Sequence, residues 1–187
     1  MPATVSRREQ ILGEAARLFA AHGFHGVSID GIGAAVGITG PALYRHFRSK
    51  EGLLAEMLVG ISEYLLDGGH ALAATHADEP EALLDALVAF HTDFALRQPE
   101  LITVHDRDLA NLPEDDRRRV RTRQRAYVEL WVATLCRLDP GRTEGAARLG
   151  AHAAFGLMNS TPRSAAGLRP ELAAPHLRAM ATAALTT

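Results

Sequence analysis

Cysteine is nearly absent from this sequence: Cys136 stands alone among 187 residues, so no intramolecular disulfide can form. A chain of this length buries an adequate core without such a staple. Aromatic residues make up only 5% of the chain, and there is a single tryptophan. No charge-free apolar run reaches the length of a membrane span, and no basic–apolar–small leader pattern opens the chain, so a cytoplasmic location is expected. Without a secretion signal the Asn159-Ser160-Thr161 sequon carries no physical meaning. A strong charge of either sign is also missing. The formal net charge of −2 argues against a non-specific nucleic-acid binder.

Chemistry-bearing constellations are lacking too. The nine histidines contain no i, i+4 pair, with His22 and His25 astride a turn and His70 and His76 six apart, so neither metal nor cofactor is expected. Serines, Cys136 and carboxylates form no catalytic arrangement, so no catalytic residues are assigned and no enzyme is expected. "GIGAAVG" at Gly31–Gly37 superficially matches a dinucleotide loop. Its third glycine comes one place late and no strand precedes it.

What the chain does have is helical periodicity from end to end. Ile11, Leu12, Ala15, Leu18 and Phe19 follow the 3.6-residue period up to Gly23, a suitable C-terminal cap. Ser28 is placed to cap a second short helix carrying Ile29, Ile32 and Val36 and closed by Gly37. A third starts with Pro41 at its first position and ends near Phe47. Ser49 opens a long fourth helix, which Gly68-Gly69 is expected to kink or end. Further amphipathic runs cover Glu81 to Arg97, Glu100 to Ala110, Asp115 to Leu138, Thr143 to Met158 and Pro175 to Leu185, punctuated by Pro99, Pro113, Pro140 and Pro162. The expectation is an all-α protein of about nine helices.

Charge divides unevenly along this array. Residues 1–50 hold six bases against three acids, a balance of +3; the remainder holds 14 bases against 19 acids, a balance of −5. A small basic module joined to an acidic body fits that asymmetry. Within the basic part, two short helices joined by "GITG" read as a helix-turn-helix, whose second helix enters the DNA major groove. Thr39, Gly40, Pro41 and Ala42 stand at its start, where small residues admit close approach to base edges. Tyr44, His46 and Lys50 have the chemistry for phosphate oxygens, and Ser28 and Ser49 mark helix N-termini that favour anions.

The stretch "SIDGIGAAVGITGPALYRHFRSKEGLL", with the amphipathic helix before it, resembles the N-terminal DNA-binding domain of the TetR/AcrR family of bacterial repressors over about residues 6 to 54. Ser28, Ile32, Ala35, Gly37, Ile38, Tyr44, His46, Phe47, Ser49 and Lys50 occupy the family pattern. The resemblance implies that Thr39, Gly40, Pro41 and Tyr44 fall at recognition-helix contacts and that Ser28, His46 and Lys50 fall at backbone contacts. Two departures stand out. Gly31 and Gly33 place poor helix formers in the second helix, at about 1 kcal/mol each relative to Ala. Gly40, Pro41 and Ala42 offer few side-chain hydrogen bonds, which leaves base readout to Thr39, Tyr44 and Arg45.

Beyond Leu54 the resemblance is one of architecture. It implies residues 1–50 as the DNA-binding domain and residues 51–187 as a helical domain that binds a small molecule and dimerises through its last two helices. Small-residue stripes support the last point: Ala146, Leu149, Gly150, Ala153, Ala154, Leu157 and Met158 on the penultimate helix, and Leu177, Met180, Ala181, Ala184 and Leu185 on the last. The alternative is that these stripes simply pack within one chain.

Phe90, His91, Phe94, His105, Tyr127, Trp131, Phe155 and Asn159 are the candidate ligand-site residues, being aromatic or polar-tipped groups on or beside apolar faces of the middle helices. Six arginines between Arg117 and Arg125 set Arg117, Arg121 and Arg125 on one helical face, with Glu114 able to pair with Arg118. That run is either a solvated face or an anion site at a pocket mouth. Its resemblance to actinobacterial TetR-like regulators of lipid catabolism points to an acyl-CoA or fatty acid.

The expected function is a ligand-responsive repressor, binding a palindromic DNA operator as a homodimer and released by a small hydrophobic effector, with no membrane partner. The rival is a helical binding or enzymatic module whose N-terminal helices are merely structural.

Overall fold

A computed structural model describes residues 6–187. The described residues form α1 (Arg7–His22), α2 (Ile29–Ala35), α3 (Gly40–Leu43), α4 (Lys50–Thr75), α5 (Pro80–Arg97), α6 (Pro99–Asp108), α7 (Glu114–Leu138), α8 (Glu144–Met158), α9 (Thr161–Ser164) and α10 (Pro170–Thr186), with a 3-10 turn at Leu109–Asn111. The nine expected helices are there, α9 being an added single turn, and the described residues hold no strand. None of the described helices is long and apolar enough to cross a membrane.

Three boundaries differ from the periodicity by several residues; the first is the end of α3, which stops at Leu43 rather than near Phe47. Helix α4 runs unbroken through Gly68 and Gly69 to Thr75, because these glycines serve close packing rather than a break. A Cβ on Gly68 would lie 2.3 Å from Phe90 Cζ, and one on Gly69 would lie 2.7 Å from Leu130 Cδ2 and 2.9 Å from Tyr127 Cε2. Helix α10 begins at Pro170 and carries Pro175 inside it. There the burial of Ala173, Leu177, Ala181 and Leu185 outweighs the one hydrogen bond that Pro175 cannot donate.

The chain packs as two units, Met1–Ile61 with Glu100–Val120, and Ser62–Pro99 with Arg121–Thr187. The two domains are expected to divide at residues 50 and 51; packing cuts elsewhere, because Val104, Leu112 and Val120 join the core built on α1 to α3.

In the first unit, Ile11, Ala15 and Phe19 of α1 meet Ile32, Leu43, Phe47, Leu53, Leu54 and Leu58. Ser6 and Glu9 form a reciprocal capping box at the start of α1. Its far end is closed by Gly23, whose φ of 79° suits glycine and whose N–H donates to Phe19 O at 2.8 Å. The buried Asp108 carboxylate accepts from Phe24 N–H at 3.4 Å and from the Arg107 guanidinium, which also donates to the α1 carbonyls of Phe19 and Ala20.

In the second unit α10 packs on α5 and α8. Leu83, Leu84, Leu87 and Val88 of α5 share a core with Trp131, Val132 and Leu135 of α7, Ala147, Ala151, Ala154 and Met158 of α8, and Ala181 and Leu185 of α10.

Candidate functional site

The helix-turn-helix is built from two side-chain caps. Ser28 Oγ accepts from Gly31 N–H at 3.0 Å to start α2, and Thr39 Oγ1 accepts from Ala42 N–H at 3.3 Å to start α3. In both, the hydroxyl hydrogen stays available to an outside acceptor. The turn between them depends on Gly37, at φ 71°, and on Ile38 N–H donating to Gly33 O at 2.9 Å. Because Thr39 takes the cap, α3 starts at Gly40 and Pro41 is its second residue, one place later than expected.

Pro41, Tyr44 and Arg45 are exposed together with Thr39, Tyr44 to 53%. Gly40 is not: it is buried, and a Cβ there would lie 2.0 Å from Asp30 Oδ1. Its smallness serves the contact of α2 with α3 rather than an open surface. His46 is half-buried, its carbonyl accepting from Arg8.

Lys50, the only lysine in the sequence, is engaged inside the unit. Its Nζ donates to Phe24 O at 2.9 Å and Val27 O at 3.0 Å and lies 4.4 Å from the centre of the Phe24 ring. It thereby ties the start of α4 to the loop ahead of α2, with one N–H left over. Arg48, exposed and with no partner among the described residues, adds a free cation that the motif pattern did not single out.

In the second unit, His91, Phe94, Tyr127, Trp131 and Phe155 come together as one aromatic cluster. Ring centroids lie 4.9 Å apart for His91–Phe155 and Trp131–Phe155, and 5.9 Å apart for the stacked pair His91–Tyr127. A polar thread crosses it: His91 Nε2–H donates to Asn159 Oδ1 at 3.1 Å, while His91 Nδ1 accepts from the Tyr127 O–H at 3.4 Å. Those two partners set the tautomer. Burial pushes His91 down to about 4 and raises the Tyr127 hydroxyl, so both are neutral near pH 7.

Two predicted ligand-site residues make other contacts. Phe90 packs on Tyr64, centroids 5.3 Å apart, and covers Gly68. His105 belongs to the first unit, where its Nδ1 lies 3.3 Å from Asp106 Oδ1.

Half of the arginine run is paired within its own helix. Arg117 pairs with Glu114, Arg118 with Asp115 at 4.0 Å and Arg119 with Asp116 at 3.3 Å, each at i, i+3. Glu114 thus takes Arg117 rather than the expected Arg118. Arg123 pairs with Glu63 at 2.7 Å. Arg121 and Arg125 are exposed and have no partner among the described residues. With four of the six arginines paired, a solvated face describes the run better than a cluster of free cations.

The predicted stripes on α8 and α10 divide between two faces. Ala154, Met158, Leu177, Ala181 and Leu185 are buried in the unit's own core. Ala146, Leu149, Ala153, Met180 and Ala184 face outward, Leu149 to 73%, and Leu172 joins them.

Residues 11–57 match the model of the bacterial regulatory proteins, tetR family, and residues 77–163 match that of the tetracyclin repressor-like C-terminal domain. The chain is 29% identical over 132 residues to the HTH-type transcriptional repressor KstR2 of Mycolicibacterium smegmatis, an alignment covering 70% of this chain and 63% of that protein. It therefore spans a little under two thirds of the length of that curated relative. The solved structure of the ketosteroid transcriptional regulator KstR2 of Mycobacterium tuberculosis is similar with a TM-score of 0.82 and 21% identity, covering 97% of this chain and 94% of that one. AibR, solved in complex with isovaleryl coenzyme A and operator DNA, is similar with a TM-score of 0.70 and 22% identity, covering 94% and 97%. At such identities these two likenesses establish the fold alone.

Proposed function

Because the chain belongs to the TetR family of bacterial regulatory proteins, we propose that it is a transcriptional repressor that binds a near-palindromic operator as a homodimer and is released by a small hydrophobic effector. The observation that carries the DNA-binding half is the α2–α3 pair, capped by Ser28 and Thr39 and presenting Thr39, Pro41, Tyr44 and Arg45 outward. On this reading residues 1–50 meet DNA and residues 51–187 hold effector and partner. Thr39, Tyr44 and Arg45 read bases, whereas Ser28, His46 and the free cation of Arg48 face phosphates.

Lys50 acts on DNA indirectly, through the loop it ties to α4. Lys50→Ala is expected to lower affinity for every DNA sequence about tenfold and to lower the urea midpoint with it. Tyr44→Phe should lower affinity while leaving the midpoint in place. Measuring both quantities on both variants decides the point: a Lys50→Ala protein of undiminished stability returns that residue to direct phosphate contact.

The dimer is proposed to form through the outward face of α8 and α10, where Leu149, Leu172 and Met180 expose apolar surface beside small Ala146, Ala153 and Ala184. A two-fold axis there presents two recognition helices to half-sites about 34–36 Å apart, or somewhat more. Leu149→Asp with Met180→Asp should give a folded monomer by light scattering at micromolar concentration. A dimer that survives both charges places the interface elsewhere.

The effector half rests on the aromatic cluster of α5, α7 and α8. Helices α4 and α7 each contribute residues to both packing units, which makes them the elements through which a ligand-selected conformation alters the DNA-binding unit. Release requires the effector to prefer that conformation; tenfold loss of DNA affinity corresponds to about 1.4 kcal/mol of coupling. The deciding experiment for the whole reading is a gel shift with DNA from upstream of the protein's own coding region, repeated at raised salt. Specific retardation that weakens with salt is expected, and no retardation at micromolar protein overturns it.

A further inference from the structure

We propose that Arg107 and Asp108 are positioning residues for DNA binding: together they fix the loop of residues 23–27, from which Ser28 and the α2–α3 pair set off. This rests on the reading of that pair as the DNA-contacting element and extends it to side chains far outside residues 11–57, the stretch that matches the DNA-binding family model.

The loop's own sequence leaves little choice of path. Gly23 stands at φ 79°, and a Cβ on Gly26 would lie 2.3 Å from His22 O, so both positions call for glycine. The loop's polar groups are then met by charged side chains from two helices. From α4, Lys50 Nζ donates to the carbonyls of Phe24 and Val27. From α6, the buried Asp108 carboxylate accepts from Phe24 N–H at 3.4 Å. Arg107 donates from Nη1 to Ala20 O at 3.2 Å and from Nη2 to Phe19 O, carbonyls of the last turn of α1, where cations are favoured. Each charge thus meets a backbone group of opposite polarity: the cations take carbonyls and the anion takes an amide.

The α6 pair is itself held in place. Arg107 Nη2 donates to Asp108 Oδ2 at 3.1 Å, and Asn111 Nδ2 donates to Asp108 Oδ1 at 3.5 Å. Asn111 Oδ1 in turn accepts from His25 Nε2–H at 3.0 Å, so two consecutive loop residues are reached from this segment. Val27 is followed at once by Ser28, whose hydroxyl caps α2 and faces phosphate on the proposed reading. Ile32 and Leu43 keep α2 and α3 on the core of α1 whether or not the loop is held. Freeing Phe24 therefore shifts where Ser28 and α3 stand without removing either helix, and DNA affinity feels such a shift more than folding does.

The test uses the full chain and upstream DNA, with affinities referred to the fraction active in stoichiometric titration. Arg107→Ala and Asp108→Ala should each weaken binding about tenfold while the salt slope stays that of the unaltered protein, because a positioning residue makes no phosphate contact of its own. Arg107→Lys, which can still pair with Asp108 and donate to Phe19 O, should stay within about threefold. Combining Asp108→Ala with Lys50→Ala should cost less than the product of the two single losses, since both residues hold Phe24. In the unaltered protein without DNA, the Phe24 amide should exchange with solvent about a hundredfold more slowly than in an unstructured peptide, a readout independent of whether any variant folds. Retardation by the unaltered protein with both alanine variants at full affinity overturns the proposal alone. So do a loss confined to the inactive fraction, a salt slope lower by about one unit in Arg107→Ala, which would make it a direct phosphate contact, and a freely exchanging Phe24 amide. Absence of retardation by the unaltered protein overturns the DNA-binding reading and this proposal with it.

Discussion

Acidification from pH 7 to pH 4 is expected to cost the protein about 3 kcal/mol through His91 alone. Its burial lowers its protonation midpoint from 6.5 to about 4, so between those values the unfolded chain binds a proton that the folded chain refuses. Stability then falls as pH falls, by up to about 1.4 kcal/mol per pH unit, with the loss beginning near the unfolded value and ending near the folded one. Other acid-sensitive contacts act in the same direction: Glu14 is held below its usual range by hydrogen bonds from Arg17, and Glu129 by hydrogen bonds from Arg148. Both are exposed pairs with small effects. The comparison that isolates His91 is His91→Gln, neutral at every pH in the range. Urea midpoints at pH 7 and pH 4 should diverge for the unaltered protein and much less for the variant. Equal pH dependence in the two would mean that His91 is open to water or already charged.

Gly33→Ala is expected to cost the first unit about 1–3 kcal/mol, as overpacking does, and to lower DNA affinity more than tenfold for every sequence. A Cβ at this buried position would lie 2.8 Å from Ile38 O, with Gly40 N and the Thr39 carbonyl carbon both at 3.4 Å. All three are backbone atoms, which cannot swing aside as a side-chain tip would. Relief must come from moving residues 38–40, the turn that sets the start of α3. Gly13→Ala is the matched control: Gly13 is exposed in α1, and a Cβ added there meets nothing within 4 Å, so the same chemical change should stabilise by up to about 1 kcal/mol. Paired urea and gel-shift measurements on the two variants check both. If Gly33→Ala retains full affinity, the turn is more pliant than its packing implies.

The two glycines of α2 illustrate how far sequence reasoning reached. By propensity Gly31 and Gly33 are equal departures that soften a helix. In three dimensions Gly31 meets only Ser28 Oγ at 3.2 Å, whereas Gly33 is pressed against the backbone of the following turn. Propensity is a local property, and the distinction is not local. Gly40 repeats the lesson: its smallness suggested open access to base edges, and it is spent on Asp30. Lys50 carried the charge expected of a phosphate contact, and two of its three N–H donors go to backbone carbonyls 23 and 26 residues earlier in the chain.

By itself the sequence determined the all-helical class, the capped helix-turn-helix and the family, because 3.6-residue periodicity, N-cap residues and a short contiguous motif are all written in neighbouring positions. It also brought forward five of the residues that form the aromatic cluster, along with Asn159, since aromatic and polar-tipped side chains on apolar faces are visible one helix at a time. Only the tertiary structure decided that Glu100–Val120, His105 included, packs with the first unit, and that α4 passes straight through Gly68-Gly69. Each of those depends on which distant side chain or carbonyl arrives at a given place, and hydrogen-bond pairing and steric fit between segments remote in sequence leave no periodic trace in it.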